Sequence, residues 1–318
     1  MKAAVYSENG GPEVFSYEEV ENPVPKANEV LIKVEAISIE GGDLSNRQLS
    51  LPSVPKHIVG YAAAGEIIEL GAEVTGFQLG QKVITFSWAG SHAELRAVAA
   101  STTFAIPEGM DLQLAIAAFI GVGTAALAIQ LSGVQRGDSV LVSGATGGVG
   151  NAVVQLLAND GVKVFASGRD ANTLQSLKEF GVSETILAGE KPIHEQVRTI
   201  KKEGIDVFID TVGMDVLIDG LKAVKDGGKV VLIAGRAGAA NFIDPLYILS
   251  HRITVIGCLL GVIMHEPFVR DLLKSSLKLV AEGKVKVPIH QVFKLADVRD
   301  AHKAAEQTGK LGRIIMVP

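Results

Sequence analysis

VLVSGATGGVGNAVVQ, residues Val140 to Gln155, sits near the middle of a chain of 318 residues. A short β-type apolar run enters a cluster of glycines, and an apolar-periodic segment leaves it at once. A dinucleotide fingerprint needs that order: strand, G-x-G-x-x-G, helix. Here it reads Ala145-Thr146-Gly147-Gly148-Val149-Gly150, with alanine in place of the first glycine. Positions without side chains let backbone approach a diphosphate closely. A helix beginning near Gly148 then offers its N–H groups and partial positive charge to that diphosphate. Alone, the pattern is weak; its flanks decide.

Those flanks alternate strand and helix. SVLVSG, KVFASG, ETILAG, DVFIDTVG and GKVVLIAG read as strands, and RITVIGCLLG (Arg252 to Gly261) as a sixth. Helical segments lie between them at 151–160, 172–180, 193–202 and 215–224. Strand, crossover helix and strand at this spacing predict an α/β architecture, a doubly wound parallel sheet with helices on both faces. An NAD site puts an acid at the end of the second strand, about 20 residues beyond the glycines, to hold the ribose hydroxyls. This chain has KVFASGRD there, with Ser167 at the expected place and Arg169 two residues on. A serine hydroxyl and a guanidinium fork suit a 2′-phosphate, so NADPH is the expected cofactor. Asp170 reads as the N-cap of the next helix.

The rest of the chain differs. Residues 1 to about 110 hold short β-rich runs, among them KAAVYS, EVLIKVEAISI, AAGEIIEL and QKVITFS, separated by turn signals such as NGGPE and GFQLGQ. A partly closed β-barrel follows. From about residue 265 a long helix, a strand, a second helix and the terminal strand GRIIMVP form a tail too short for its own core, expected to pack back on the barrel. The length suits two domains. A net charge of −5 gives no reason to expect a nucleic-acid or anionic-membrane surface. The single cysteine, Cys258, rules out an internal disulfide and a thiolate-rich zinc site. MKAAVYSENG lacks a secretory h-region, so the cytoplasm is the expected address. Leu112 to Leu131 is uncharged and long enough to span a bilayer, but alanine-rich and interrupted by GVGT (Gly121 to Thr124). It reads as a buried helix, a break and a second buried helix.

Taken in order, the opening MKAAVYSENGGPEVFSYEEVENPVPKANEVLIKVEA, GYAAAGEIIELGAEVTGFQLGQKV, the GATGGVG loop, IDTVG and the closing AHKAAEQTGKLGRIIMVP resemble the medium-chain dehydrogenase/reductase superfamily. Within it they resemble the zinc-independent quinone oxidoreductases. The resemblance covers nearly the whole chain. It implies a GroES-like β-barrel catalytic domain over 1–115 and 263–318, a Rossmann NADP-binding domain over 116–262, and an active-site cleft between them. Where zinc alcohol dehydrogenases carry their catalytic cysteine this chain has Glu40, before Asp43; where they carry a ligand histidine it has Tyr61. No cysteine stands near GVGT and the four-cysteine lobe is missing, so no zinc is expected. Arg47 fits the quinone branch's basic position. Glu40, Ser45 and Ala62 depart from the asparagine, tyrosine and acid usual there.

The resemblance also implies roles. NADPH delivers hydride to an acceptor carrying its own activation, a quinone or an α,β-unsaturated carbonyl, and the protein chiefly orients it. Tyr61 is the candidate proton donor or oxyanion partner, Glu40 would tune it or relay a proton, and Thr124 would sit beside the nicotinamide. Val212 of IDTVG, Gly235 with the following RAGAANF, and Leu259 join the glycine loop as cofactor contacts. Arg313 matches a basic residue near the pyrophosphate, with Lys310 as runner-up. An apolar edge strand near Ile253–Gly261 predicts a homodimer. An enoyl-thioester reductase and a non-catalytic NADPH-binding sensor are the alternative readings.

Overall fold

The computed structural model describes residues 1–52, 54–235, 243–307 and 311–318. The chain forms two compact units: Met1–Ile120 with most of the chain from Gly261 onward, and Gly121–Leu260. The divisions fall five residues after and two residues before the positions that the resemblance implies.

The first unit is built around Glu29–Ser38, a ten-residue strand whose Val30, Ile32, Val34, Ala36 and Ser38 form a buried face, with Leu31 and Ile37 buried on the other. Its first half pairs antiparallel with Leu95–Ala99, Glu29 facing Ala99, and its last residues pair with Arg313–Val317, Ile37 facing Met316. Ala62–Leu70 runs along its other side and continues the sheet through Lys82–Phe86 to Thr103–Ala105. Ile289–Lys294 pairs parallel with Arg313–Val317 as the seventh strand, so the sheet draws on both ends of the chain. Val30, Ile32, Val34, Ile67, Val83, Ile314 and Met316 meet in one core.

A polar chain runs through this core. Arg47, His92 and His302 are all fully buried. Arg47 Nη1 donates to His302 Nδ1 at 2.9 Å, and His302 Nε2 lies 2.9 Å from His92 Nε2. A guanidinium can only donate, so His302 must carry its hydrogen on Nε2 and pass it to His92. His92 then keeps its hydrogen on Nδ1, facing Ser91 Oγ at 3.0 Å. Arg47 also bonds Gly10 O and pairs with Glu306. Arg47, matched by resemblance to a site position, is thus taken up inside the first unit.

In the second unit six parallel strands, taken in chain order, are Ser139–Val142, Lys163–Gly168, Glu184–Leu187, Ile205–Asp210, Val224–Leu232 and Thr254–Gly257. They lie in the spatial order third, second, first, fourth, fifth, sixth. This is the Rossmann order, and the first and fourth strands flank the point where the winding reverses. Val140, Leu141 and Val142 are fully buried, as a strand covered on both faces must be. Thr254–Gly257 is shorter than the stretch read from sequence and forms the sheet edge, mostly exposed.

Leu112–Ser132 is one uninterrupted helix of 21 residues, not two helices with a break. Gly121, Val122, Gly123 and Thr124 are all buried within it. Glycine costs about 1 kcal/mol against alanine in a helix, but packing outweighs that inside a core. By length and composition this helix could cross a membrane; 67% of its apolar window is buried inside the protein.

Burial, with Arg96 nearby, holds His92 down to about 3, and burial with His92 and Arg47 holds His302 well below the usual imidazole range. Both stay neutral when folded but take a proton when unfolded below ~6.5. Their contribution to stability is complete above that pH and is lost as pH falls toward the folded values. The melting temperature should therefore fall between about pH 7 and 5, and less steeply in His302→Gln. Equal slopes in calorimetry would remove the pair from the pH response.

Candidate functional site

The nucleotide cradle begins where the first Rossmann strand ends. Gly144 has φ +60°, and a Cβ there would lie 2.6 Å from Thr211 Oγ1. Gly147 caps the helix Gly148–Asn159 in extended conformation. A Cβ on Gly150 would come within 2.2 Å of the Gly144 carbonyl oxygen. The three demanding glycines are thus 144, 147 and 150. The tight-turn glycine read as replaced by Ala145 is present one residue earlier, because the turn starts immediately after Ser143. Ala145 is fully buried and its N–H donates to Ser167 O at 2.9 Å, tying the loop to the second strand. Thr146, Gly148 and Val149 are part-exposed at the mouth. The N–H groups of the helix's first turn have no partner within the helix.

A buried carboxylate organises this mouth. Asp210, at the end of the fourth strand, accepts from Ser143 Oγ at 2.6 Å, Val212 N at 3.2 Å and Gly213 N at 2.8 Å. Ser143 Oγ in turn accepts from Thr211 N at 3.0 Å. The loops after the first and fourth strands are therefore locked together at the switch point. Burial raises the Asp210 carboxyl, while these hydrogen bonds oppose the rise. Val212 remains 46% exposed beside Gly144.

At the end of the second strand the side chains differ from expectation. Ser167 is 1% exposed and lies inside the strand, so its hydroxyl is not presented to a ribose phosphate. Arg169 is exposed. Asp170 accepts from Thr173 N at 2.8 Å and caps the helix Ala171–Ser176. Gly235 is exposed at the end of the fifth strand; the RAGAANF segment after it, and Lys310, lie outside the described residues. Leu259 is 58% exposed while Leu260 is buried. Thr124, mid-helix rather than at a helix start, is buried, and its carbonyl faces Cys258 Sγ. Burial pushes the Cys258 thiol up to about 11.

In the first unit, Tyr61 lies at the centre of a polar and aromatic group. Its N–H donates to Asp43 Oδ1 at 3.1 Å, and its hydroxyl accepts from Asn46 Nδ2 at 3.1 Å. Burial raises its phenol pKa, and Asp43 and Glu40 add to this against the Asn46 bond. Glu40 is neither a surface carboxylate nor a partner of the phenol. Its Oε1 accepts from Ser38 Oγ at 2.9 Å and its Oε2 pairs with Arg313 at 2.8 Å. Arg313, expected near a pyrophosphate, is thus joined to Glu40, and its Nε and Nη2 are buried with no partner among the described residues. The acid that touches Tyr61 is Asp43, fully buried and pushed up to about 8 chiefly by that burial. It was visible in EGGD only as a neighbour of Glu40. Behind them Arg96, 3% exposed, donates to the carbonyls of Tyr61, Thr85 and Ala89.

Both Glu40 oxygens and the Tyr61 hydroxyl are engaged by protein groups, and the described residues hold no group of three His, Cys, Asp or Glu able to share a metal.

Comparison with known proteins agrees with this geometry. Residues 26–132 match the alcohol dehydrogenase GroES-like domain and 148–278 the zinc-binding dehydrogenase domain. The chain is 30% identical over 331 residues to quinone oxidoreductase of Rattus norvegicus, covering all of this chain and 98% of that protein. It is 26% identical to acryloyl-coenzyme A reductase of Sulfurisphaera tokodaii, with both chains fully covered. The crystal structure of Escherichia coli quinone oxidoreductase complexed with NADPH superposes with a TM-score of 0.92 at 23% identity, again over both whole chains. The chain belongs to the medium-chain dehydrogenase/reductase superfamily, and within it to the quinone oxidoreductases.

Gly150→Ala should weaken NADPH binding at least tenfold in calorimetry while leaving the barrel intact. The new methyl cannot coexist with the Gly144 carbonyl, and displacing that carbonyl moves the loop. Unchanged affinity would mean that the loop does not hold the nucleotide.

Proposed function

We propose that the chain is an NADPH-dependent, zinc-independent reductase of quinones or α,β-unsaturated carbonyls. The observation that carries this is the cradle of Gly144, Gly147 and Gly150 at the switch point, with exposed Arg169 and a committed Asp170 after the second strand. Bound NADPH supplies the hydride. The first-turn N–H groups at Gly148, Val149 and Gly150 hold the diphosphate. Arg169 would fork onto the 2′-phosphate, while Asp170 Oδ1 is taken up by Thr173 in capping the next helix. Thr124 and Leu259 would hold the nicotinamide ring. Tyr61 donates to the acceptor oxygen as charge develops on it. An acceptor that is already electron-poor asks no Lewis acid of the protein, in keeping with donors already engaged by protein groups. The full-length similarity to an acryloyl-coenzyme A reductase supports an enoyl thioester as the second reading.

We also propose a homodimer through the edge strand Thr254–Gly257. Support comes from Val255, 39% exposed on that strand, and from Leu246 and Leu249, 69% and 74% exposed on the preceding helix. Light scattering at micromolar concentration should give twice the chain mass; a monomer there counts against this surface.

The decisive measurement is turnover with a quinone under NADPH and NADH. NADPH should be preferred, and Arg169→Ala should cut that preference about tenfold, the scale of a lost charge-assisted contact. Tyr61→Phe should lower the chemical step ~100-fold. No coenzyme preference overturns the NADPH assignment; an unchanged chemical step removes Tyr61 from the mechanism.

A further inference from the structure

Trp88 is the only tryptophan in the chain, and it is 47% exposed. It is nevertheless firmly held. Its ring stands edge-to-face with Tyr61 at 5.5 Å and with Phe86 at 5.2 Å, and Tyr61 and Phe86 are 5.9 Å apart. Two glycines make room for this trio. A Cβ on Gly42 would lie 2.2 Å from the Tyr61 ring, and one on Gly261 would lie 2.5 Å from Phe86 and 2.8 Å from Trp88. The buried Arg96 guanidinium fixes the backbone on both sides, donating to Tyr61 O and Ala89 O at 2.9 Å and to Ser87 O at 3.4 Å. One clamp therefore sets the phenol and the indole in register.

The phenol oxygen is already an acceptor, from Asn46 Nδ2. Among the described residues nothing accepts the phenol's own hydrogen. The cluster thus offers a rigid, half-open aromatic surface and, beside it, one hydroxyl with a hydrogen to give. An apolar wall with a single placed donor is how small-molecule sites combine affinity with orientation.

We propose that Trp88 and Tyr61 take the acceptor as a flat conjugated ring, the indole stacking on the ring and the Tyr61 hydroxyl donating to its carbonyl oxygen. This rests on the reductase reading and narrows it to cyclic over short acyclic acceptors. A ring covers the indole by offset stacking, whereas a four-carbon enone covers only a fraction of it.

The test compares naphthoquinone with methyl vinyl ketone in NADPH oxidation by the wild-type chain, Trp88→Ala and Trp88→Phe. Trp88→Ala should lower the ratio of kcat/KM for naphthoquinone over methyl vinyl ketone about tenfold, and Trp88→Phe should restore most of it. The ratio is insensitive to lost protein, since misfolding lowers both rates alike. An unchanged ratio in Trp88→Ala overturns the inference even though the reductase reading stands. If the wild-type chain oxidises NADPH with neither acceptor, the reductase reading fails, and the ring site is then decided by binding alone. Emission from the sole tryptophan should be quenched by naphthoquinone along a saturating curve, less tightly in Tyr61→Phe. Quenching that only rises linearly with concentration overturns the site.

Discussion

The nucleotide unit depends on a backbone contact that no side chain interrupts. The helix Gly148–Asn159 approaches the strand before it so closely that a Cβ on Gly150 would meet the Gly144 carbonyl at 2.2 Å. That approach brings the free N–H groups of the first helical turn to the carboxyl end of the sheet. Asp210 then fixes the neighbouring loop with three hydrogen bonds, so the mouth is set before any ligand arrives. Rigid placement of donors costs nothing further on binding, which is the physical advantage of building the cradle from backbone.

The barrel unit achieves the same preorganisation with buried charge. Arg96 gathers the carbonyls on either side of Trp88 together with that of Tyr61, while Asp43 holds the backbone N–H groups of Tyr61 and Glu40. Arg47 sets the direction of the hydrogen-bond chain through His302 and His92. Partnered in this way, buried polar groups specify one arrangement; left unpartnered, each would cost several kcal/mol. Among the described residues Arg313 Nε and Nη2, Arg96 Nε and Asn151 Nδ2 are the buried side-chain N–H groups left unengaged.

Much of the fold was legible because its signals are local. Glycines between a strand and a helix, the alternation that follows, and Asp170 as an N-cap all follow from short-range geometry. The misread positions share a different cause. The fingerprint spacing points to Ala145 for the turn, and only the positive φ at Gly144 shows which residue turns. GVGT looked like a break because glycine disfavours isolated helices, whereas tertiary burial sustains this one. Ser167 matched a spacing rule, but its strand is covered on both faces, which buries the side chain.

Sequence alone determined the order of elements, the parallel wound sheet, the barrel at both chain ends and the place of the phosphate loop. Each of these is encoded in the period and composition of short segments. Tertiary structure decided the partners: Glu40 with Arg313, Asp43 with Tyr61, Arg96 with the backbone flanking Trp88. Arg313 and Glu40 lie 273 positions apart in the sequence and meet only because the terminal strand pairs beside Glu29–Ser38. No local pattern encodes such a meeting, because charge pairing in a protein interior depends on distance in space, and burial sets its strength.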